Sequence, residues 1–145
     1  RRIPLLGPGH KVGIALIDLD NFKSINDVHG HAAGDKVLEG FAEIARKSLR
    51  DEDLVARFGG EEFVILLDNS DLATLHQCVE RIRTGFAQTC FSTTGEKLHC
   101  TLSAGLNLVG FDENLEDRLK QADEALYRAK ETGRNRCEVF EGAYA

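Results

Sequence analysis

The feature that most restricts the fold is a short, uninterrupted apolar run at residues 12–17, which ends at Asp18. Such a run is typical of a buried β-strand, because a strand with one wet face would alternate apolar and polar residues. The sheet that contains it therefore needs helices packed against its faces.

Three later segments carry apolar residues at three- and four-residue steps, the spacing of one face of an α-helix. They predict long helices at residues 35–49, 72–86 and 115–129, and a shorter helix suits residues 22–28. Gly30 is placed to stop the short helix and Gly133 to end the last one, since glycine readily closes a helix C-terminus.

Turn residues between short apolar segments predict two β-hairpins. Strands at residues 54–58 and 63–67 flank one tip, strands at residues 91–93 and 98–108 flank the other, and residues 136–140 close the chain as a strand. This order predicts an α+β fold with a mainly antiparallel central sheet flanked by helices. We expect residues 1–145 to form a single domain, with residues 1–11 as an irregular lead-in.

Composition limits the classes of function. The 145 residues are 42% hydrophobic and 29% charged, which fits one globular domain with an apolar core. The net charge of −6 argues against a nucleic-acid polymer as partner, although it permits a small nucleotide held with a metal ion. No apolar run reaches the roughly 18–20 residues that cross a bilayer, so we expect no direct membrane contact by this domain.

Cysteine and methionine usage adds two expectations. The four cysteines form neither a CxxC pair nor a zinc-type cluster with histidine, which is typical of free thiols in a reducing cytoplasm. The chain contains no methionine, which indicates a piece of a longer protein.

Asp18, Leu19 and Asp20 end the first strand and form a candidate magnesium site. A rigid strand can hold the carboxylates, and the Leu19 carbonyl can face a cation. Magnesium prefers oxygen ligands and takes one or two carboxylates together with phosphate oxygens. A strand that simply runs out into solvent is the alternative for this segment alone.

The tip of the first hairpin, Gly59-Gly60-Glu61-Glu62, is more acidic than a turn requires. Glycine lets a ligand approach the backbone closely, and a cation would relieve the repulsion between the two adjacent glutamates. A plain polar turn is the alternative. If this hairpin lies beside the first strand, Asp18 and Glu61 can share a pair of metal ions, as in enzymes of phosphoryl transfer.

The segment between these two sites holds candidates for base recognition. Asn26 and Asp35 carry groups that can bond a guanine edge. Asp35 can equally cap the helix that follows it, and His31 can be an ordinary surface histidine.

Three cations are candidates for phosphate contacts. Lys130 and Arg134 flank Gly133 at the end of the last helix, where they can clamp a triphosphate or simply favour the helix C-terminus. Lys23 leaves the same choice between a phosphate and solvent.

Three blocks together resemble the GGDEF family of diguanylate cyclases: DLDNFKSINDVHGHAAGD, RDEDLVARFGGEEF and ADEALYRAKETGRNR. They stand in the family's order, and the resemblance extends over about residues 12–140. This resemblance implies a fold like that of nucleotidyl cyclases and polymerase palms, with a ferredoxin-like core.

The resemblance also implies roles for individual residues. Asp18, Glu61 and the Leu19 carbonyl match metal ligands, and Glu61 also matches the group that takes the proton from an attacking 3′-hydroxyl. Lys23 matches a residue that stabilises the transition state. The other matches are substrate positions: Asn26 and Asp35 on guanine, His31, Gly60, the backbone of Asn21 and Phe22, and the phosphate contacts Lys130 and Arg134.

The implied activity is the condensation of two GTP molecules into cyclic di-GMP and two pyrophosphates. The implied cofactor is Mg²⁺ or Mn²⁺, two ions per GTP. Each domain would hold one GTP, so a homodimer is implied, and a sensor or receiver domain would precede this one in a parent protein. The domain would lie in the cytoplasm, either in a soluble parent protein or as the cytoplasmic domain of a membrane-tethered one.

Arg50 and Asp53 fit the family's RxxD inhibitory motif, with Arg81 matching a third contact to the product cyclic di-GMP. The alternative is a surface ion pair of little energetic weight.

Two points qualify the resemblance. Family members usually begin with a helix that carries a DxLTGLxNR segment, and only Arg1-Arg2 resemble it here, about ten residues too close to Asp18.

The alternative function is a non-catalytic module that binds GTP or cyclic di-GMP. Such modules usually lose a metal-binding acid or a glycine, and this chain keeps them.

Overall fold

The computed structural model describes residues 9–93 and 95–144. The strands are β1 (Lys11–Leu19), β2 (Leu54–Arg57), β3 (Glu62–Leu67), β4 (Phe91–Thr93), β5 (Glu96–Leu98), β6 (Leu102–Gly110) and β7 (Arg136–Val139). The helices are α1 (Phe22–His29), α2 (His31–Ser48), α3 (Leu72–Gln88) and α4 (Leu115–Glu131), and a 3₁₀ turn follows at Glu141–Tyr144. None of the helices in these ranges is long and apolar enough to cross a membrane.

Five strands form one central sheet in the order β2-β3-β1-β6-β7, in which only the β6–β7 pair is parallel. The middle strand, β1, pairs antiparallel with β3 up to Asp18↔Glu62 and with β6 up to Leu19↔Leu102. The predicted α+β fold with a mainly antiparallel sheet is therefore confirmed.

The side chains of β1 alternate between two buried faces, as a strand of period two requires. Ala15 and Ile17 enter the larger core, which α2 and α3 cover. Phe41 of α2 lies at the centre of that core, with its ring centroid 4.5 Å from that of Phe63 and 5.5 Å from that of Phe86.

Helix α4 covers the opposite face and advances in step with β1. Four helical residues rise about 6 Å, and two strand residues rise about 6.6 Å. Ala122 and Leu126 join the smaller core beside Leu16. One step further along both elements, Lys130 contacts the carboxylate of Asp18. The packing of α4 therefore decides which cation reaches the end of β1.

Two predicted helix features differ from the structure. Helix α2 begins at His31, directly after Gly30, and not at residue 35. Asp35 lies inside this helix, so the alternative that it caps the helix is wrong. Gly30 is the N-cap and has a φ of 93°, a value that suits glycine and lets α1 and α2 follow each other without a loop.

The second predicted hairpin is also different. The segment predicted as one strand, residues 98–108, is divided between β5 and β6. β5 pairs with β4 in a separate two-stranded ribbon, whereas β6 pairs with β1 in the main sheet. The break lies where the Thr101 carbonyl accepts a hydrogen bond from the Asp20 N–H at 2.8 Å.

The predicted lead-in falls mostly on residues 1–8, which lie outside the described residues, and the same holds for Arg1-Arg2. Lys11, its last residue, already belongs to β1.

Gly105 of β6 lies opposite Leu16 and directly under α4. A Cβ there would lie 2.0 Å from the Ala122 carbonyl oxygen and 2.4 Å from the Leu126 nitrogen, both backbone atoms. We predict that Gly105→Ala lowers the free energy of unfolding by about 3 kcal/mol, because α4 must move away from the sheet. The midpoint of urea unfolding measures this change.

Gly85→Ala is the matched control. A Cβ at Gly85, inside α3, would meet only a methyl carbon of Ile44 at 3.9 Å. Alanine favours helix over glycine, so this variant should gain up to about 1 kcal/mol. Equal stability of the two alanine variants would contradict the close packing of α4 on β6.

Candidate active site at the end of the central strand

The end of β1 and the tip of the β2–β3 hairpin are joined by a backbone hydrogen bond. The Leu19 N–H donates to the Glu61 carbonyl at 3.1 Å, one step beyond the last β1–β3 pair. A cleft of about 190 Å³ lies at this junction. Its lining residues are Asp18, Leu19, Asp20, Asn21, Phe22, Lys23, Glu61, Lys130 and Arg134.

Asp18 and Glu61 bring two negative charges into this cleft. Burial raises the pKa of Glu61, and the charges of Asp18 and Glu62 raise it further, against the opposing effect of Lys130 and Arg57. A cation bound between the two carboxylates would remove this repulsion. The donor set therefore fits Mg²⁺, which completes its shell with phosphate oxygens and water.

Protein side chains alone do not complete such a shell. Among residues 9–93 and 95–144, no group of three or more His, Cys, Asp or Glu side chains is arranged to hold a metal ion. Two carboxylates with neighbouring backbone oxygens make a site that depends on a nucleotide for its remaining ligands.

Two cations come from the end of α4. Lys130 lies in its last turn and contacts the Asp18 carboxylate. Thr132 caps the helix, and Gly133 follows with a φ of 130°. The Arg134 N–H then donates to the Ala129 carbonyl at 2.9 Å, the bond of a Schellman motif. The helix ends just before the predicted glycine, and both predicted cations line the cleft.

Asp20 has a different environment from Asp18, although the sequence groups them. Its two oxygens accept hydrogen bonds from the Ser103 hydroxyl at 2.6 Å, the Thr101 hydroxyl at 2.7 Å and the Asn135 N–H at 3.0 Å. Asp20 therefore ties β1 to the start of β6 and to the turn after α4. No local pattern predicts these partners, which are 81 to 115 positions away.

Helix α1 begins at the cleft. Asn21 precedes it with a φ of 55°, and no side chain caps its first turn. The backbone N–H groups of such a turn favour an anion. Lys23, in that turn, has a side chain 92% exposed and 3.8 Å from the Asp27 carboxylate. The structure thus brings Asn21, Phe22 and Lys23 to the same cleft as the acids.

Asn26, His31 and Asp35 are not among the residues that line the cleft. Asn26 lies half-buried on α1, while His31 and Asp35 are exposed on α2. Gly34 brings the two helices together, because a Cβ there would lie 1.9 Å from the Asn26 side-chain oxygen. Asn26 and Asp35 are thus placed across a close helix contact.

The glycines of the hairpin tip are held by a residue that sequence reasoning missed. The Arg57 Nε donates to the carbonyls of both Gly59 and Gly60 at 3.0 Å. A Cβ on Gly60 would point into open space, whereas one on Gly59 would lie 2.6 Å from a Glu62 side-chain oxygen. Open space at Gly60 agrees with a ligand approaching the backbone.

The predicted product site lies away from the cleft, between α2 and β2. Asp53, with its side chain 3% exposed, accepts from the Arg50 N–H at 3.0 Å, the Arg50 guanidinium at 3.2 Å and the Asp68 N–H at 2.9 Å. Burial alone would raise the Asp53 pKa, but these hydrogen bonds from Arg50 and Asp68 lower it overall. The pair therefore differs from a loose surface ion pair. Exposed Arg81 donates to the Ser48 carbonyl at 3.4 Å.

Residues 5–136 match the family described as diguanylate cyclase, GGDEF domain. The chain belongs to this family. The diguanylate cyclase DgcP of Pseudomonas aeruginosa is 49% identical over 126 residues, which are 87% of this chain and 19% of that protein.

Two solved structures of other family members confirm the predicted fold. The active GGEEF domain of a diguanylate cyclase from Vibrio cholerae has a TM-score of 0.83 and 39% identity, over 90% of this chain and 83% of that one. The GGDEF domain of DgcB from Caulobacter crescentus, in complex with c-di-GMP, has a TM-score of 0.87 and 30% identity, over 92% and 80% of the two chains.

The GGDEF-domain chain is much shorter than its curated relatives. It spans 19% to 38% of the length of three diguanylate cyclases to which it is 41% to 49% identical.

The proximity of the two cleft acids leads to a prediction about Glu61. Asp18→Asn removes one of the charges that raise the Glu61 pKa and frees Lys130, so that pKa should fall towards its ordinary value. An NMR pH titration of the Glu61 carboxyl carbon, without metal ions, measures it. Glu43→Gln, which changes an exposed acid of α2 that does not line the cleft, is the control and should cause no change. An unaltered Glu61 pKa in Asp18→Asn would contradict the shared cleft.

Proposed function

We propose that this GGDEF domain is a diguanylate cyclase that condenses two GTP molecules into cyclic di-GMP and two pyrophosphates. The observation that carries the proposal is the cleft at the end of β1, where Asp18, Glu61, Lys130 and Arg134 converge. This cleft combines carboxylates that can bind divalent cations with positively charged side chains that can bind phosphates. Such a combination suits a nucleoside triphosphate. The named relatives, which are diguanylate cyclases, support the same reaction.

Guanine recognition is assigned to Asn26 and Asp35. A carboxylate can accept from the N1 and N2 hydrogens of guanine, and an amide can bond another position on the base edge. The close α1–α2 contact at Gly34 holds these two residues in fixed relation. His31, exposed at the start of α2, completes the proposed substrate positions.

The triphosphate is assigned to the cleft itself. Lys130 and Arg134 supply positive charge, and the uncapped first turn of α1 supplies backbone N–H groups at Asn21 and Phe22. Gly60 leaves room for close approach to the hairpin tip. Lys23, an exposed cation that lines the cleft, is assigned to the charge that develops in the transition state.

Asp18, Glu61 and the Leu19 carbonyl would hold two Mg²⁺ or Mn²⁺ ions per GTP. When bound, such ions neutralise phosphate charge and favour an ionised 3′-hydroxyl. We assign to Glu61, which lines the cleft beside Asp18, the proton of the attacking hydroxyl. Each 3′-oxygen then bonds to the α-phosphorus of the other GTP. The bond between that α-phosphorus and the oxygen bridging to the β-phosphorus breaks, and pyrophosphate leaves.

Two domains must face each other for this chemistry, since one domain holds one GTP. We therefore propose a homodimer with near two-fold symmetry, in which each cleft supplies half of the site. Positioning and electrostatics account for most of the catalysis in such a reaction. A sensor or receiver domain in a longer, cytoplasmic or membrane-tethered protein would control the pairing.

Arg50, Asp53 and Arg81 are assigned to inhibition by the product. The hydrogen bonds around Asp53 hold the Arg50 guanidinium in one orientation, which suits a planar contact with a guanine or phosphate edge. Arg81 adds a second exposed cation from α3.

Glu61→Gln tests the catalytic assignment. We predict a loss of cyclic di-GMP formation from GTP and Mg²⁺ of about 100-fold or more. The folded chain binds the Glu61 proton more tightly than the unfolded chain, so ionised Glu61 disfavours the fold above its pKa. The variant should therefore have an equal or higher Tm at pH 7.

Glu43→Gln, the same change on the exposed face of α2, is the control and should keep full activity. Normal turnover in Glu61→Gln would contradict its role. A dimeric wild-type protein that binds GTP and makes no product would favour the non-catalytic binding module.

Arg81→Ala tests the product site more cleanly than Arg50→Ala, because the Arg50 change also removes the two guanidinium hydrogen bonds to buried Asp53. We predict that Arg81→Ala weakens inhibition by added cyclic di-GMP while the initial rate is unchanged. Product formation against added cyclic di-GMP measures the inhibition constant. Lys47→Ala, which removes a nearby exposed charge, should leave inhibition intact. Unchanged inhibition in Arg81→Ala would remove this residue from the proposed site.

A further inference from the structure

The turn after α4 holds the backbone in an unusual conformation. Gly133, Arg134 and Asn135 have φ values of 130°, 61° and 48°. Asparagine and glycine tolerate such values, but arginine pays a steric penalty there. A strained conformation persists only where surrounding groups fix it, and this turn carries Arg134, which lines the cleft.

Three elements fix the turn from different sides. From α4, the Ala129 carbonyl accepts the Arg134 N–H at 2.9 Å. From the end of β1, Asp20 accepts the Asn135 N–H at 3.0 Å. From α3, the Arg83 Nη1 donates both to the Asn135 side-chain oxygen at 2.8 Å and to its carbonyl at 3.2 Å. Arg83 thus fixes both the side chain and the backbone carbonyl of Asn135.

Arg83 is itself firmly oriented by Glu80. Two parallel hydrogen bonds of 2.8 Å and 2.7 Å join its Nε and Nη2 to the two Glu80 oxygens. The Arg83 side chain is 18% exposed, and its hydrogen bonds lower the pKa of Glu80 to about 2. The pair is therefore ionised throughout the neutral range, and the guanidinium has one edge on Glu80 and its remaining nitrogen on Asn135.

We propose that Arg83, oriented by Glu80, is a positioning residue that fixes Arg134 for binding the GTP phosphates. Arg83 does not line the cleft and touches no phosphate site directly. It acts through Asn135 on the residue that does. This inference rests on the proposed function of the cleft, because it assigns a cause to the placement of one of its cations.

The expected consequence is a loss of affinity with little loss of turnover. Without Arg83 the turn can relax towards ordinary φ values, and the Arg134 side chain must be ordered when GTP binds. Ordering one long side chain corresponds to about a 3- to 10-fold weakening of affinity. Because Arg134 would hold substrate and transition state alike, KM should rise while kcat changes little.

Binding of 3′-deoxy-GTP, which lacks the attacking hydroxyl, gives a readout that does not need catalysis. We would measure its Kd by calorimetry with Mg²⁺ for the wild type, Arg83→Met, Arg134→Ala and the double variant. Each single change should weaken binding, and Arg83→Met should add nothing in the Arg134→Ala background. Additive losses in the double variant would overturn the proposal, because Arg83 would then act by another route.

Hydrogen exchange of the Asn135 amide provides the second measurement. Arg83→Met should speed this exchange by loosening the turn. Glu80→Gln should speed it less, because glutamine keeps the shape of the glutamate side chain and removes only the charge that orients Arg83. If Arg83→Met does not fold, Glu80→Gln carries the test through both readouts. Unchanged exchange and unchanged affinity in the folded variant would overturn the proposal.

Arg118→Met is the matched control. Arg118 is 27% exposed and pairs with Glu113 at 2.8 Å near the other end of α4, away from the turn. Its loss should leave the Kd and the Asn135 exchange unchanged. An effect equal to that of Arg83→Met would overturn the proposal, because both changes would then act through a general loss of stability. A wild-type domain that fails to bind 3′-deoxy-GTP would instead contradict the proposed function, while the exchange data would still decide whether Arg83 fixes the turn.

Discussion

The hydrogen bond from the Leu19 N–H to the Glu61 carbonyl is the contact on which the rest of the site depends. It extends the β1–β3 ladder by one step beyond Asp18↔Glu62, so the register of the central sheet decides where the hairpin tip lies. Because a one-residue slip would turn every β1 side chain to the other face, the two buried cores also protect the site. The core thus fixes the functional geometry and is not merely its support.

Charge in the cleft is balanced by elements from three parts of the chain. Asp18 and Glu61 repel each other, Lys130 offsets part of that repulsion, and the uncapped first turn of α1 lies at the same cleft. The repulsion between these acids costs stability in the free domain, and the proposed cations would relieve it. Such a cost is common where a fold carries a functional site. The strained turn at Arg134 is a second local cost, offset by hydrogen bonds with Arg83 of α3, the Ala129 carbonyl of α4 and Asp20 after β1.

Local sequence pattern predicted much of this. The apolar run before Asp18, the helical stripe of α4 and the glycines at the hairpin tip are short-range signals, and the structure has those elements close to their predicted positions. The division of residues 98–108 into β5 and β6 was not predictable, because it depends on whether each half pairs with β4 or with β1. Asp20, Arg57 and Arg83 were missed as organising residues, since their hydrogen-bond partners follow from tertiary placement and not from any spacing in the chain.

The most direct test of the proposed metal site, shared by Asp18 and Glu61, is the affinity for Mn²⁺ in the presence of saturating 3′-deoxy-GTP. Electron paramagnetic resonance of free Mn²⁺ would be compared for the wild type, Asp18→Asn, Glu61→Gln and the double variant. If both carboxylates serve the same ions, each single change lowers Mn²⁺ binding, and the double variant loses little more than the larger single loss. Independent, fully additive losses, or an affinity that one of the two changes leaves intact, would contradict a common site.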